Sequence, residues 1–373
     1  MTGLVHRVRD AGLAAISRGT LRARPDGETL VLLQPDHLGD IILSQPAVRL
    51  LRERLPDTRI VGVVGPWSRD IAEMAWPVDE IITLKFPGFT RRSSGDPTAP
   101  YRQIGRDAET LRSLNPKAGI VLRPEAWWAA FVASRAMNGV VAGDDRPYVS
   151  RIVAVPEHEH SVVRAATIAA AFLDCSVPSR EELSISIPRQ LDAANEASGM
   201  LKSRGIEGRY AVIHPGSGAA VKLWTDSRWR AIVQHLNSRG LKVVLTGSPS
   251  ERPRCDLIAE GTDAVAFAGE TSVAVLAELF RDAALAVGTD NGPMHLAVAV
   301  DAPTVHLFGP SDPERYGPWG DPSRHRVVTA GWHCPRCGDL SPGRPAGCGC
   351  MLAISAETVC AEVDRMLDAH ARR

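Results

Sequence analysis

From Thr29 onward, short apolar runs rich in β-branched residues alternate with longer stretches whose apolar positions recur at three- and four-residue spacing. The runs Thr29–Leu33, Arg59–Val64, Glu80–Leu84 and Gly119–Leu122 predict buried strands, and the stretches between them predict covering helices. That alternation specifies a parallel sheet flanked by helices, an α/β fold. A second series of the same kind begins near Tyr210 with AVIHPG and continues through LKVVLTG, AVAFAG, LAVGTD and PTVHLFG. Between the two lies Val177–Arg189, rich in Pro, Ser and Glu, which predicts an exposed linker and a boundary within residues 178–190. Two domains, 1–185 and 186–373, with a cleft between them are therefore expected. The segment Phe86–Pro100 breaks the rhythm with Gly, Pro, Ser and Arg and reads as a functional loop facing a ligand. Residues 355–371 carry Val359, Val363, Met366 and Leu367 at helical spacing behind Ser355 as N-cap, and predict a closing helix.

Length agrees with this division, since 373 residues exceed one ordinary core. A hydrophobic fraction of 44% and a formal net charge of zero exclude a disordered chain and a nucleic-acid binder, leaving a small-molecule or glycan partner. There is no apolar run of about 18 residues and no cleavable leader pattern, so a cytoplasmic protein is expected. Leu4–Ile16 has helical spacing with Arg7, Arg9, Arg18, Arg22 and Arg24 around it. Such a helix either rests on the anionic inner face of the plasma membrane as a peripheral contact or is a solvated surface helix.

Four stretches carry candidate chemistry. In LVLLQPDHLGDIILSQPAV a strand ends in a short polar loop, and Gly39-Asp40 opens a helix at the carboxyl edge of the sheet, where α/β folds bind ligands. Asp40 is placed either to take a proton from an attacking hydroxyl or merely to cap the helix. In YAVIHPGSGAAVKLW, the turn Pro215-Gly216-Ser217-Gly218 presents amides and the Ser217 hydroxyl to an anion, and Lys222 adds a full positive charge. The turn is not a Walker loop, because the Gly-Lys-Ser/Thr ending is missing. In VVLTGSPSE, Glu251 opens the next helix where a ribose hydroxyl would be bound, or else is a plain helix-start acid. LAVGTDNGPMHLAVAV delivers Asp290 to the second sheet's edge, turns at Asn291-Gly292 and starts a helix at Pro293. Amides at Gly292, Pro293 and Met294 are the expected cradle for a leaving diphosphate without metal. His295 either bonds a phosphate or sugar or is a core histidine satisfied by backbone.

Together these motifs resemble the lipopolysaccharide heptosyltransferases, glycosyltransferase family nine, over Thr29 to Leu367. GTDNGPMHLAVAVDAPTVHLFGPSDPERYGPWG is similar to that family's D-x-G-P-x-H-x-A-A signature and its G-P-[TS]-[DN]-P segment. HLGDIILSQPAV matches its L-G-D…P-A element and PGSGAAVKLW its K-x-W element. The resemblance implies a GT-B fold of two facing Rossmann-like domains, an N-terminal acceptor domain and a C-terminal nucleotide-sugar domain. It implies Asp40 as catalytic base, Lys222 as the diphosphate lysine, Ser217 as a phosphate contact, Glu251 as a ribose contact and Asp290 as organiser of the donor sugar or diphosphate loop. The implied reaction is inverting transfer of a heptose, from ADP-heptose, to a glycan acceptor such as lipopolysaccharide core, another polysaccharide or a small glycoside. Two departures from the family pattern stand out: Gln34 where many members carry Arg, and Thr225 where Pro commonly follows the Trp. A nucleotide-sugar epimerase and a non-catalytic nucleotide-sugar-binding protein are the rival readings.

Seven cysteines form an odd set, and Cys175, Cys255 and Cys360 lie singly in segments that read as helix, against a disulfide framework. Cys334, Cys337, Cys348 and Cys350 cluster in a Gly/Pro-rich loop spanning residues 334–350, and the first pair has zinc-knuckle spacing. Either a structural zinc organises that loop or the cysteines have no ligand role. No cofactor is expected for catalysis.

Overall fold

The computed structural model describes residues 27–86, 99–143, 149–331 and 346–370. The chain divides into two compact units, Met1–Ser184 and Ile185–Arg373. Each carries, among the described residues, one six-stranded sheet in which every neighbouring pair is parallel.

The first sheet comprises β1 (Thr29–Gln34), β2 (Arg59–Val64), β3 (Glu80–Thr83), β4 (Pro116–Val121), β5 (Val140–Ala142) and β6 (Arg151–Ile152), in the order β3-β2-β1-β4-β5-β6. All six positions of β1 are buried, the pattern of a central strand covered on both faces. The strand order reverses between β1 and β4, which opens a crevice at their carboxyl ends. Immediately after β1, helix Leu38–Arg54 begins there and packs against helix Ser161–Phe172. The last two strands, β5 and β6, are short enough to leave no periodic signal, and the sequence expectation stopped at β4.

The second sheet holds β7 (Tyr210–His214), β8 (Lys242–Leu245), β9 (Val265–Ala266), β10 (Leu285–Thr289), β11 (Thr304–Phe308) and β12 (His325–Thr329), ordered β12-β11-β10-β7-β8-β9. Here the order reverses between β7 and β10, so the turn after β7 and the loop after β10 face one crevice. Trp224 and Trp229, both buried, meet edge to face with ring centroids 5.0 Å apart. Trp224 Nε1 also donates to Ile354 O at 3.0 Å, which ties the segment bearing Lys222 to the chain just before the closing helix. That helix, Ala356–His370, is capped by Ser355 Oγ, which accepts from Thr358 N at 3.2 Å, and buries Val359, Val363, Met366 and Leu367.

One cysteine differs from expectation. Cys175 lies beyond helix Ser161–Phe172, because the chain leaves the helix through Asp174 at φ 53, a left-handed position. Cys255 and Cys360 are helical, within Arg252–Ala259 and Ala356–His370. The leader 4–16 and most of the segment 86–100 lie outside the described residues. Among the described residues, no helix is long and apolar enough to cross a membrane.

Candidate active site

In the second unit an ion pair sits at the carboxyl edge of β10. Lys222 closes a single 3-10 turn, Ala220–Lys222, and its Nζ donates to Asp290 Oδ2 at 2.6 Å. Both side chains are largely buried, at 15% and 6% exposure. Burial alone would raise the Asp290 pKa, but the Lys222 ammonium and the facing His295 ring overcome it and hold the carboxyl well below the ordinary range. An ammonium has three donors, so Lys222 keeps two for a ligand. His295 Nε2 stands 3.7 Å from Asp290 Oδ1, and its buried Nδ1 has no partner among the described residues. Of the two readings of His295, a core histidine satisfied by backbone is not the one seen: its ring is turned to a carboxylate.

Helix Gly292–Ala299 starts beside this pair. Asn291 is its N-cap: Oδ1 accepts from Met294 N at 3.0 Å while Nδ2 donates to Gly216 O at 2.8 Å. Thr289 Oγ1 donates to the same oxygen at 3.1 Å, so the Pro215–Gly218 turn is laced to the end of β10. This corrects the expected cradle of three amides. Pro293 has no N–H, the amide of Met294 is spent on the cap, and the Met294 side chain is core, which leaves Gly292 to face an anion. The helix lies flat on β10 because Gly288 has no side chain; a Cβ there would stand 2.6 Å from Met294 Cγ.

The opposite wall is built by close approach. A Cβ on Gly216 would fall 1.9 Å from Glu251 Oε1, so the Glu251 carboxylate rests directly against the glycine turn. Its Oε2 accepts from Ser248 N at 2.7 Å and from Ser248 Oγ at 2.8 Å in a capping box. Ser217, partly exposed, accepts from Ala219 N at 3.3 Å. Beneath the turn His214, wholly buried, pairs with Thr246 Oγ1 at 3.0 Å; burial pushes its pKa down to about 4, against the pull of Glu251, so it is neutral at physiological pH. Arg254 was not foreseen: it bonds Asp226 Oδ1 at 2.6 Å, Pro215 O at 3.1 Å and Trp224 O, clamping both ends of the Lys222 loop. Nothing local in the sequence marks it, since its partners lie some thirty residues away.

In the first unit Asp40 is the third residue of helix Leu38–Arg54, half-buried, and no side-chain bond caps that helix start. Capping therefore does not account for it. Asp36, four residues earlier and overlooked in the sequence, is buried: Arg123 donates to its Oδ1 and Gln34 Nε2 to its Oδ2 at 3.1 Å. Burial first, then the nearby Asp40 charge, push its pKa up to about 8 against the pull of Arg123. Asp36 O accepts from Trp67 Nε1 and Ser68 Oγ, both at 2.8 Å, which fixes the loop leading to Asp40. Gln34 therefore orients Asp36, while its own Oε1 is buried without a partner among the described residues.

Cys348 is disulfide-bonded, and its Sγ lies 3.0 Å from that of Cys350. Cys334 and Cys337 lie outside the described residues, among which no cluster of three or more His, Cys, Asp or Glu is arranged to hold a metal.

The pair makes a pH prediction. In the wild type the depressed Asp290 pKa contributes stability above about pH 4, lost as pH falls through the folded-state value. Lys222→Met leaves a buried carboxylate whose folded pKa rises, so its cost grows as pH increases. The variant should lose about 3–5 kcal/mol at pH 7 and much less at pH 4. Thermal unfolding across that range measures the gap; a gap independent of pH would show that the pair is not the source.

Comparison with known proteins bears on this geometry. The sequence pattern of Glycosyltransferase family 9 (heptosyltransferase) matches residues 109–340. Lipopolysaccharide heptosyltransferase 3 of Escherichia coli (strain K12) is 30% identical over 300 residues, covering 75% of this chain and 82% of that protein. Among solved structures, a family 9 glycosyl transferase from Veillonella parvula superposes with TM-score 0.75 at 21% identity, covering 93% and 99% of the two chains. The E. coli ADP-heptose lipopolysaccharide heptosyltransferase II gives 0.71 at 19%, covering 92% and 99%. An iron-containing dodecameric glycosyltransferase from enterotoxigenic E. coli gives 0.53 at 18%, covering 94% and 78%. The architecture is GT-B, and the chain belongs to glycosyltransferase family 9, the heptosyltransferases, as a glycosyltransferase.

Proposed function

We propose that this enzyme transfers a heptose from ADP-heptose to a glycan or glycolipid acceptor such as lipopolysaccharide core, in one inverting displacement. The observation that carries the reading is the 2.6 Å Lys222–Asp290 pair beside the start of helix Gly292–Ala299, at the crevice of the second sheet. The acceptor oxygen forms a bond to the anomeric carbon as the bond to the diphosphate breaks. Its proton passes to the Asp40 carboxylate, and the charge arriving on ADP is met by Lys222, the helix terminus, the Gly292 amide and the Ser217 hydroxyl. Glu251 binds the ribose against Gly216, and Asp290 and His295 organise the sugar end. The 1–185 domain serves the acceptor and the 186–373 domain the donor. No metal is needed at the diphosphate. The protein works in the cytoplasm, and its basic leader 4–16 serves either as a solvated surface helix or as a peripheral contact with the inner face of the plasma membrane.

Replacing Asp40 tests the base. Asp40→Asn should lose transfer by a factor of about 10² to 10⁴ while ADP affinity, read by calorimetry, stays within twofold; retained turnover contradicts the assignment.

We further propose that, once the Cys348 disulfide is reduced, Cys334, Cys337, Cys348 and Cys350 hold one structural metal ion, zinc or iron, since four thiolates suit either. The sulfurs of Cys348 and Cys350 stand 3.0 Å apart, which brings two of the four together. Elemental analysis of protein purified without chelator should give about one equivalent, lost in Cys350→Ser. A metal-free protein short of two titratable thiols would mean a disulfide takes the place of the ion.

A further inference from the structure

At the carboxyl edge of the second sheet, the end of β11 opens on a cavity of about 470 Å³ lined by Phe308, Gly309, Ser311, Asp312, Glu314 and Thr329, among other residues. β11 adjoins β10, and Asp290 N donates to Leu307 O at 3.1 Å, so the loop 309–313 leaves the sheet at the edge where Asp290 sits. Ser311 is only 4% exposed, and its Oγ has no hydrogen-bond partner among the described residues. An orphaned buried hydroxyl costs about 1–3 kcal/mol, and native proteins seldom retain one without a function for it.

The loop that carries this hydroxyl is held on both sides. Asp312 Oδ1 accepts from Glu314 N at 2.9 Å and caps helix Pro313–Tyr316. At the other end Gly309 lies under the cysteine-bearing segment: a Cβ there would stand 2.3 Å from Met351 Sδ and 3.4 Å from Cys350 Sγ. The named lining offers hydroxyls and carboxylates and no cation. Such a wall repels phosphate and hydrogen-bonds a neutral, hydroxyl-rich group.

We propose that Ser311 hydrogen-bonds the glycosyl group of the nucleotide sugar, making loop 309–313 the sugar subsite beside the diphosphate groups; this rests on the donor reading given above. Ser311 is then a residue that separates nucleotide sugar from bare nucleotide.

Calorimetric titration of wild type, Ser311→Ala and Ser311→Thr with ADP and with ADP-heptose tests it. The alanine variant should bind ADP as the wild type does, bind ADP-heptose roughly five- to tenfold more weakly, and show a raised KM for donor but not for acceptor. Threonine, which restores the hydroxyl, should recover most of the loss. An alanine variant that binds both ligands like the wild type overturns the proposal, as does one that loses both equally or one whose acceptor KM alone rises. Wild-type protein that binds ADP but not ADP-heptose would sink the donor reading instead, and failure to bind either would sink the nucleotide site itself.

Discussion

The second unit is organised around one buried ion pair. Lys222 and Asp290 are too enclosed to be solvated by water alone, so each is sustained only by the other and by what surrounds them. Trp224 buries the chain two residues beyond the lysine, Arg254 clamps both ends of its loop, and Asn291 and Thr289 converge on Gly216 O from the aspartate side. The glycines at 216 and 288 let a carboxylate and a helix approach closely enough to complete the enclosure. What results is a fixed cation and a fixed anion before any ligand arrives, the preorganisation that stabilising a departing diphosphate requires.

The first unit uses a related device with opposite emphasis. Two carboxylates lie four residues apart, Asp36 in the loop after β1 and Asp40 in the first turn of the helix that follows, and meet different surroundings. Asp36 is buried and held by Arg123 and Gln34, its pKa pushed up to about 8, whereas Asp40 stays half-exposed in the first turn of a helix. Environment thus separates the two: one carboxyl is buried and holds the loop, and the other stays half-exposed. Gln34, a departure from the family pattern, belongs to this arrangement, since its amide is one of the two donors on Asp36.

Much of this was legible in the residues. The β-branched runs specified the inner strands because a buried parallel strand tolerates little else, and β2 begins and ends where its run does. Asp40, Ser217, Lys222, Glu251 and Asp290 were visible because each lies between the carboxyl end of a strand and the first turn of the next helix. Less visible was anything set by contacts across the sheet. Arg123 and Arg254 act on loops far away in sequence, and Asp36 differs from Asp40 only through burial. The amide cradle failed for a reason that the sequence did contain: Pro293 has no N–H, and Asn291 at the cap position claims the amide of Met294. Ser311 was read as part of a family segment, and its orphaned hydroxyl became apparent only from the packing around it.

If the Lys222–Asp290 site is built for a nucleoside diphosphate, wild-type protein should bind ADP one to one by calorimetry with EDTA present, and bind UDP, GDP and dTDP more weakly. Binding of none of the four, or binding that EDTA abolishes, would contradict a diphosphate site made of lysine, helix terminus and hydroxyl alone.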